Sequence, residues 1–220
     1  MSATRIKIAE LYASLQGEGM HMGLHCFFVR TAGCDLRCVW CDTPAALEAG
    51  SGDWMEIDDI AAKIPDHVEL VQITGGEPLL QEERVLALIE RLERPPLPRK
   101  ILLETGGHKS LARIPESVHI VMDVKLPGSG EAGHDFAANV AYLKPTDEVK
   151  FVIADRADFD AALDFIREHE LDKRCRILYS PVWDSLELRD LAGYILEAGA
   201  PGRLQTQLHK WIWGAATTGV

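Results

Sequence analysis

No stretch of about 18 consecutive apolar residues interrupts this 220-residue chain, so no segment reads as a transmembrane helix. Basic residues are also in short supply. There are 23 Lys and Arg against 34 Asp and Glu, a net charge of -11. Such a chain lacks the positive field that supplies most non-specific nucleic-acid affinity. A small-molecule substrate is therefore expected, with no nucleic-acid and no membrane partner. Residues 1–15 mix Arg5, Lys7 and Glu10 into their apolar positions and never give the unbroken run of a signal peptide, which points to a soluble, cytoplasmic protein. Cysteine is scarce too. The five present are an odd number, and three of them fall within eight residues, which excludes a simple disulfide framework and suits a metal site in a reducing compartment. Cys26 and Cys175 stand apart and read as plain buried thiols.

What is present is enough apolar residue, 47% of the chain, for one core, and a single domain over 1–220 is expected. Short β-rich runs alternate with segments of helical periodicity. The runs cover 6–12, 26–30, 68–74, 100–104, 119–125, 149–153, 176–179 and 203–207. The clearest helix spans 81–93, where Val85, Leu86, Leu88, Ile89 and Leu92 form an apolar face that Pro95, Pro96 and Pro98 bring to an end. Asp158 is placed to cap a second helix carrying Phe159, Leu163 and Ile166. Ser185, with Glu187 and Leu188, opens a third that stops at Gly199. Repeated βα units predict a mostly parallel sheet with its ligands at the carboxyl ends of the strands. The loops 31–43, 75–78, 105–108, 127–134 and 180–184 all follow strands and are the places to look for chemistry.

The first of them holds Cys34, Cys38 and Cys41 in a Cys-x3-Cys-x2-Cys arrangement. Three thiolates from one short loop can hold three irons of a [4Fe–4S] cube and leave the fourth open to a ligand. Similar spacings also serve structural zinc, with Cys26, His25 or Cys175 as a fourth ligand, so spacing alone leaves both readings open.

The surrounding residues resolve the choice by resemblance. The triad, with Trp40 just before its third cysteine, resembles the signature of the radical S-adenosylmethionine (SAM) superfamily, in which the cofactor's amino and carboxylate groups chelate the open iron. The run Thr74-Gly75-Gly76-Glu77-Pro78 is similar to the superfamily's Gly-Gly-Glu-Pro turn, which receives the methionine ammonium. Within the superfamily, Leu15-Gln16-Gly17-Glu18-Gly19, the stretch from Arg30 to Trp40-Cys41-Asp42-Thr43, and Gln207-Leu208-His209-Lys210 resemble the 7-carboxy-7-deazaguanine synthase family of queuosine and 7-deazapurine biosynthesis.

That resemblance implies conversion of 6-carboxy-5,6,7,8-tetrahydropterin to 7-carboxy-7-deazaguanine with loss of ammonia. A 5′-deoxyadenosyl radical would start the ring contraction, and SAM would be regenerated. It also implies Cys34, Cys38 and Cys41 as cluster ligands, and a cofactor site formed by Trp40, Gly75, Gly76, Glu77, Asp123, Val124, Lys125, Ser180, Pro181, Val182 and Trp183. The pterin falls to Leu15, Gln16, Gly17, Glu18, Arg30, Thr74 and His209, with Thr43 as a magnesium ligand. The implied partners are an electron-donor protein such as a flavodoxin or ferredoxin, and a second copy in a homodimer. The implied architecture is an α/β fold, an incomplete, partly open (β/α) barrel of the radical SAM type, because the chain is too short for eight full units. The rivals are a glycyl-radical activase, which shares the cysteine spacing, and a zinc-stabilised binding module without catalysis.

Cys34→Ala, Cys38→Ala and Cys41→Ala are each expected to abolish iron incorporation, while Cys26→Ala and Cys175→Ala keep it. Iron and sulfide analysis of anaerobically reconstituted protein checks the assignment.

Overall fold

A computed structural model describes residues 4–220, so the first three residues of the expected domain lie outside the described residues. Nine strands form one sheet in the order β3-β1-β2-β4-β5-β6-β7-β8-β9. They are β1 (Arg5–Leu15), β2 (His25–Thr31), β3 (Asp53–Glu56), β4 (Leu70–Gly75), β5 (Lys100–Thr105), β6 (His119–Val124), β7 (Glu148–Ile153), β8 (Arg176–Pro181) and β9 (Arg203–Leu204). From β2 to β9 every pairing is parallel, whereas β1 runs antiparallel to both β2 and β3. The two end strands, β3 and β9, do not pair with each other, so the sheet is an open arc as expected.

Strand alternation sorts the side chains into two layers. The outer set includes Val29, Val71, Ile73, Leu103, Met122, Phe151 and Tyr179. It makes the main core with helices α1 (Ile57–Lys63), α2 (Glu82–Leu92), α3 (Arg156–Glu168) and α4 (Leu188–Ala198). The inner set is smaller. Cys26, Phe28, Leu70, Leu102 and Val121 form an apolar plug, with Tyr12 stacked on Phe28 at a ring separation of 4.8 Å. Further along the same strands the inward positions turn polar, and this change makes room for a site above the plug.

Several expected elements differ in detail. The run 6–12 is part of a longer strand because Ala13, Ser14 and Leu15 continue the hairpin opposite Phe27, Cys26 and His25. The run 203–207 stops at Leu204, because the side chains of Gln205 and Gln207 turn to Glu18. Alternation with helices is incomplete: β5 to β6 and β6 to β7 cross over without an α-helix. Pro115 in the first connection, and Pro127, Gly128, Gly130, Gly133 and Pro145 in the second, remove helical donors and loosen the backbone. Strand β3, helix α1 and helix α5 (Leu208–Trp213) are too short to leave a clear period in the sequence. No helix among the described residues is long and apolar enough to cross a membrane.

The cap of α3 is Asp155 rather than Asp158. The Asp155 carboxylate accepts the Asp158 N–H at 2.9 Å, while the buried Asp158 carboxylate accepts from Gly128 N–H at 2.8 Å and Ala154 N–H at 3.1 Å. Asp158 thus fastens the loop after β6 to the end of β7. Loss of an N-cap costs about 1 kcal/mol, whereas a hydrogen bond to a charged group contributes about 1.5–3 kcal/mol, and the Asp158 side chain accepts two. Asp158→Ala should therefore destabilise more than Asp155→Ala, as read from urea unfolding of the two variants.

Candidate active site

A large cavity opens at the carboxyl ends of the strands, above the apolar plug. Of the residues expected there, Leu15, Gln16, Gly17, Glu18, Arg30, Cys34, Cys38, Trp40, Cys41, Thr43, Thr74, Gly75, Gly76, Glu77, Asp123, Lys125, Ser180, Pro181, Val182, Trp183 and His209 all line it. Val124 does not. Its side chain is buried in the outer core, because alternation along β6 turns Asp123 and Lys125 inward and the residue between them outward.

The cysteine loop is anchored at both ends. Gly33 N–H and Cys34 N–H donate to the carbonyls of Ala46 and Leu47 at 2.8 and 2.9 Å. The Arg37 guanidinium donates to the Cys34 and Leu36 carbonyls, each at 2.8 Å. Leu36 N–H points at Cys34 Sγ from 3.4 Å. Burial pushes the Cys34 and Cys38 thiols up from their ordinary value, so their thiolates favour a cationic partner. Among the described residues, no three His, Cys, Asp or Glu side chains are gathered tightly enough to share one metal ion. The three thiols stand instead around one end of the cavity, an arrangement suited to a cube that offers each thiolate a different iron. Cys26 and Cys175 lie apart from the cavity lining, each bonding to a backbone carbonyl, so neither supplies a fourth ligand.

Gly76 lies against the root of this loop. A β-carbon there would overlap the Gly33 carbonyl and crowd Cys34. Glu77 has a role the motif alone does not reveal. Its carboxylate is buried and accepts from Leu79 N–H at 2.9 Å, Thr105 Oγ1 at 2.9 Å and Gly106 N–H at 2.8 Å. Its own N–H donates to the Gly33 carbonyl at 2.8 Å. The side chain is therefore committed to joining the loops after β4 and β5, while the turn's backbone faces the cavity.

On β2, directly beside Thr74 of β4, Arg30 is held by three groups: Glu10 at 3.1 Å, Tyr12 Oη at 3.2 Å and Thr43 Oγ1 at 3.3 Å. Thr43 Oγ1 also lies 3.0 Å from Asp42 Oδ1. Asp42 is held below the usual carboxylate range: burial opposes ionisation, but the Gln207 amide, Lys150 and Lys210 outweigh it. Leu208 N–H donates to the Gly17 carbonyl at 3.0 Å, which sets α5 and His209 beside the 15–18 segment. Residues Ala215 and Thr217 to Val220 complete this side of the cavity.

Sequence reading missed a row of inward polar residues: Gln72 on β4, Glu104 on β5 and Lys150 on β7, with Asp42 beside them. A signal for them exists. Parallel strands buried on both faces are normally continuous apolar runs, so a Gln, Glu or Lys inside one marks a cavity-facing position.

The Radical SAM superfamily model matches residues 28–208. A 7-carboxy-7-deazaguanine synthase of Koribacter versatilis is 40% identical, over 98% of this chain and all of its own length. One of Chlorobaculum tepidum is also 40% identical, over 98% of this chain and 97% of its own. The crystal structure of QueE from Escherichia coli has the same fold, with a TM-score of 0.74 at 24% identity over 93% of this chain and 95% of that one.

Gly76→Ala should prevent the cysteine loop from seating against the β4 turn. Iron incorporation is expected to fall at least about tenfold while the far-UV spectrum of the apoprotein stays unchanged.

Proposed function

Because the chain belongs to the 7-carboxy-7-deazaguanine synthase family of the radical SAM superfamily, we propose that it converts 6-carboxy-5,6,7,8-tetrahydropterin to 7-carboxy-7-deazaguanine with loss of ammonia. The observation that carries this reading is convergence. The cysteine loop, the 15–18 segment, Arg30 and His209 come from distant parts of the chain and line one cavity. The cluster and SAM are the family's cofactors, and together they supply a carbon radical able to take hydrogen from an unactivated position.

The chain's own groups bind, orient and enclose. Cys34, Cys38 and Cys41 would hold the cluster. Gly75 and Gly76 let the backbone approach the methionine end of SAM, and Trp40 and the 180–183 loop border the rest. Arg30 faces the substrate carboxylate with a planar donor pair already fixed by Glu10, Tyr12 and Thr43, so little freedom is lost when the acid arrives. Gln16 and Glu18 offer acceptors to the N–H edge of the heterocycle. Gln16 is itself held by the Gln72 side chain, and Glu18 by Lys150 and Gln207.

Magnesium belongs to the same proposal. The Thr43 hydroxyl and the Asp42 carboxylate place two hard oxygens at the cavity edge, a donor set that suits the ion when substrate oxygens and waters complete it. The negative charge of Asp42 offsets the neighbouring Arg30. The reading further includes a flavodoxin- or ferredoxin-type reductant, a homodimer and a cytoplasmic location.

Reconstituted protein supplied with carboxytetrahydropterin, SAM, a reductant and magnesium should release ammonia and 7-carboxy-7-deazaguanine. Absence of product would overturn the proposal in favour of the activase, and colourless zinc-bearing protein would favour the binding module. In the same assay, Thr43→Ala should raise the magnesium needed for half-maximal rate about tenfold, the equivalent of one weakened ligand. An unchanged titration removes Thr43 from the metal site.

A further inference from the structure

Lys150 stands in the middle of β7, buried, at a position outside the cysteine motif and its associated segments. Its ammonium lies 3.0 Å from Glu18 Oε2, 2.5 Å from Glu104 Oε1 and 3.7 Å from Asp123 Oδ2. These three carboxylates come from three separate elements: the segment after β1, the middle of β5 and the end of β6. Asp123 is paired more closely with Lys125, at 2.8 Å, so two cations stand among three carboxylates, and the remaining negative charge faces the cavity.

We propose that Lys150 is the positioning residue of this site: it holds Glu18 and Glu104 side by side as carboxylates, so that both remain acceptors for a ligand's N–H groups. The geometry supports this in two ways. Each carboxylate gives one oxygen to Lys150 and has other partners at its edges. Glu18 is bordered by Gln205 at 3.1 Å and Gln207 at 2.9 Å, and Glu104 accepts from Gln72 at 2.6 Å and Thr74 at 3.4 Å. Second, β7 grips the same segment twice. Two residues before Lys150, the Glu148 carboxylate accepts the Met20 N–H at 2.9 Å and His119 Nε2 at 3.0 Å. A β-carbon at Gly19 would stand 2.7 Å from Glu148 Oε2, so the chain after Glu18 passes close against the strand.

The charged groups around Lys150 are Glu18, Glu104 and Asp123 in contact, with Asp42 and Lys125 beyond them. Burial disfavours its charge, but Glu104, Glu18 and Asp123 outweigh burial and lift the ammonium well above its ordinary value. Lys150 is therefore a fixed cation at neutral pH rather than a proton donor. Burial pushes the Glu18 carboxyl up and Glu104 adds to the effect, with Lys150 as the main opposing charge. Without Lys150, two like charges would share one enclosed space, and the Glu18 carboxyl, already pushed up by burial, would take up a proton more readily.

The direction of the consequence follows. A carboxyl whose folded-state pKa is raised, as at Glu18, stabilises the fold below its unfolded value and loses that contribution as pH rises through the folded value. Lys150→Met should therefore melt below wild type by a gap that widens with pH.

The test is thermal melting of cluster-loaded wild type, Lys150→Met, Lys150→Arg and the double variant Lys150→Met/Glu104→Gln. The expected gap for Lys150→Met is about 4 °C near pH 8.5, shrinking about twofold or more near pH 6. Lys150→Arg should keep less than about half of it, and adding Glu104→Gln to Lys150→Met should narrow it by removing one of the two opposed charges. A gap independent of pH, or one that Glu104→Gln widens, would make Lys150 a packing residue and overturn the inference. Only the last step rests on the proposed function: the KM for the pterin should rise about tenfold in Lys150→Met, with kcat lowered less, and recover in Lys150→Arg. Wild-type turnover in the same preparation separates failure of the proposed substrate from failure of the Lys150 role, and an unaltered KM in Lys150→Met overturns the latter.

Discussion

The buried carboxylate of Glu77 ties together the parts of the molecule that the chemistry needs. Its oxygens accept from the start of the turn after β4 and from the loop after β5, and its backbone N–H reaches the root of the cysteine loop after β2. Three strand ends are thereby fixed to one another by one residue. Burial pushes this carboxyl up, while the N–H groups of Leu79 and Gly106 and the Thr105 hydroxyl oppose that push. Each bond to a charged group is worth about 1.5–3 kcal/mol, and a donor orphaned in this enclosed place would cost a similar amount. The cysteine loop carries little regular structure of its own, so its shape is borrowed from this junction.

Eight of the nine strands and the loops that matter are legible in the sequence because β-rich runs and helical periods alternate, and because the cysteine spacing is distinctive. Helix α2 shows the clearest period, and its apolar face of Val85, Leu88, Ile89 and Leu92 is the buried one. The failures have physical causes. Asp158 looked like a cap because carboxylates suit that place, yet Asp155 precedes the helix by one residue and leaves Asp158 free to bridge two loops. Val124 lies between two cavity-facing residues in sequence, but adjacent strand residues point to opposite faces and its side chain enters the outer core. Lys150, Glu104 and Gln72 escaped notice because each is a single polar residue inside an apolar run. Their meaning appears only when four strands lie side by side.

The concave face therefore has a graded composition. Phe28, Leu70, Leu102 and Val121 close the bottom without polar atoms, and one step of the alternation higher Gln72, Glu104 and Lys150 bond in a row, with Asp123 3.7 Å from the Lys150 ammonium. The apolar layer keeps water from reaching the charges from below, which strengthens their mutual attraction. It also means that a ligand meets a wall whose polar groups are already oriented, so binding need not order them.

These charges alternate in sign over the distance between neighbouring strands, about 4.8 Å. Arg30, Lys125 and Lys150 are interleaved with Glu10, Glu18, Asp123 and Glu104 around one opening. Fields from such closely mixed charges cancel within a few ångströms, well inside the screening length of about 8 Å in physiological salt. At longer range an approaching molecule meets only the net charge of -11, which repels anions weakly and favours none of the wall's details. Capture is consequently a short-range event, in which a ligand whose polar groups match the spacing of the wall is selected on contact.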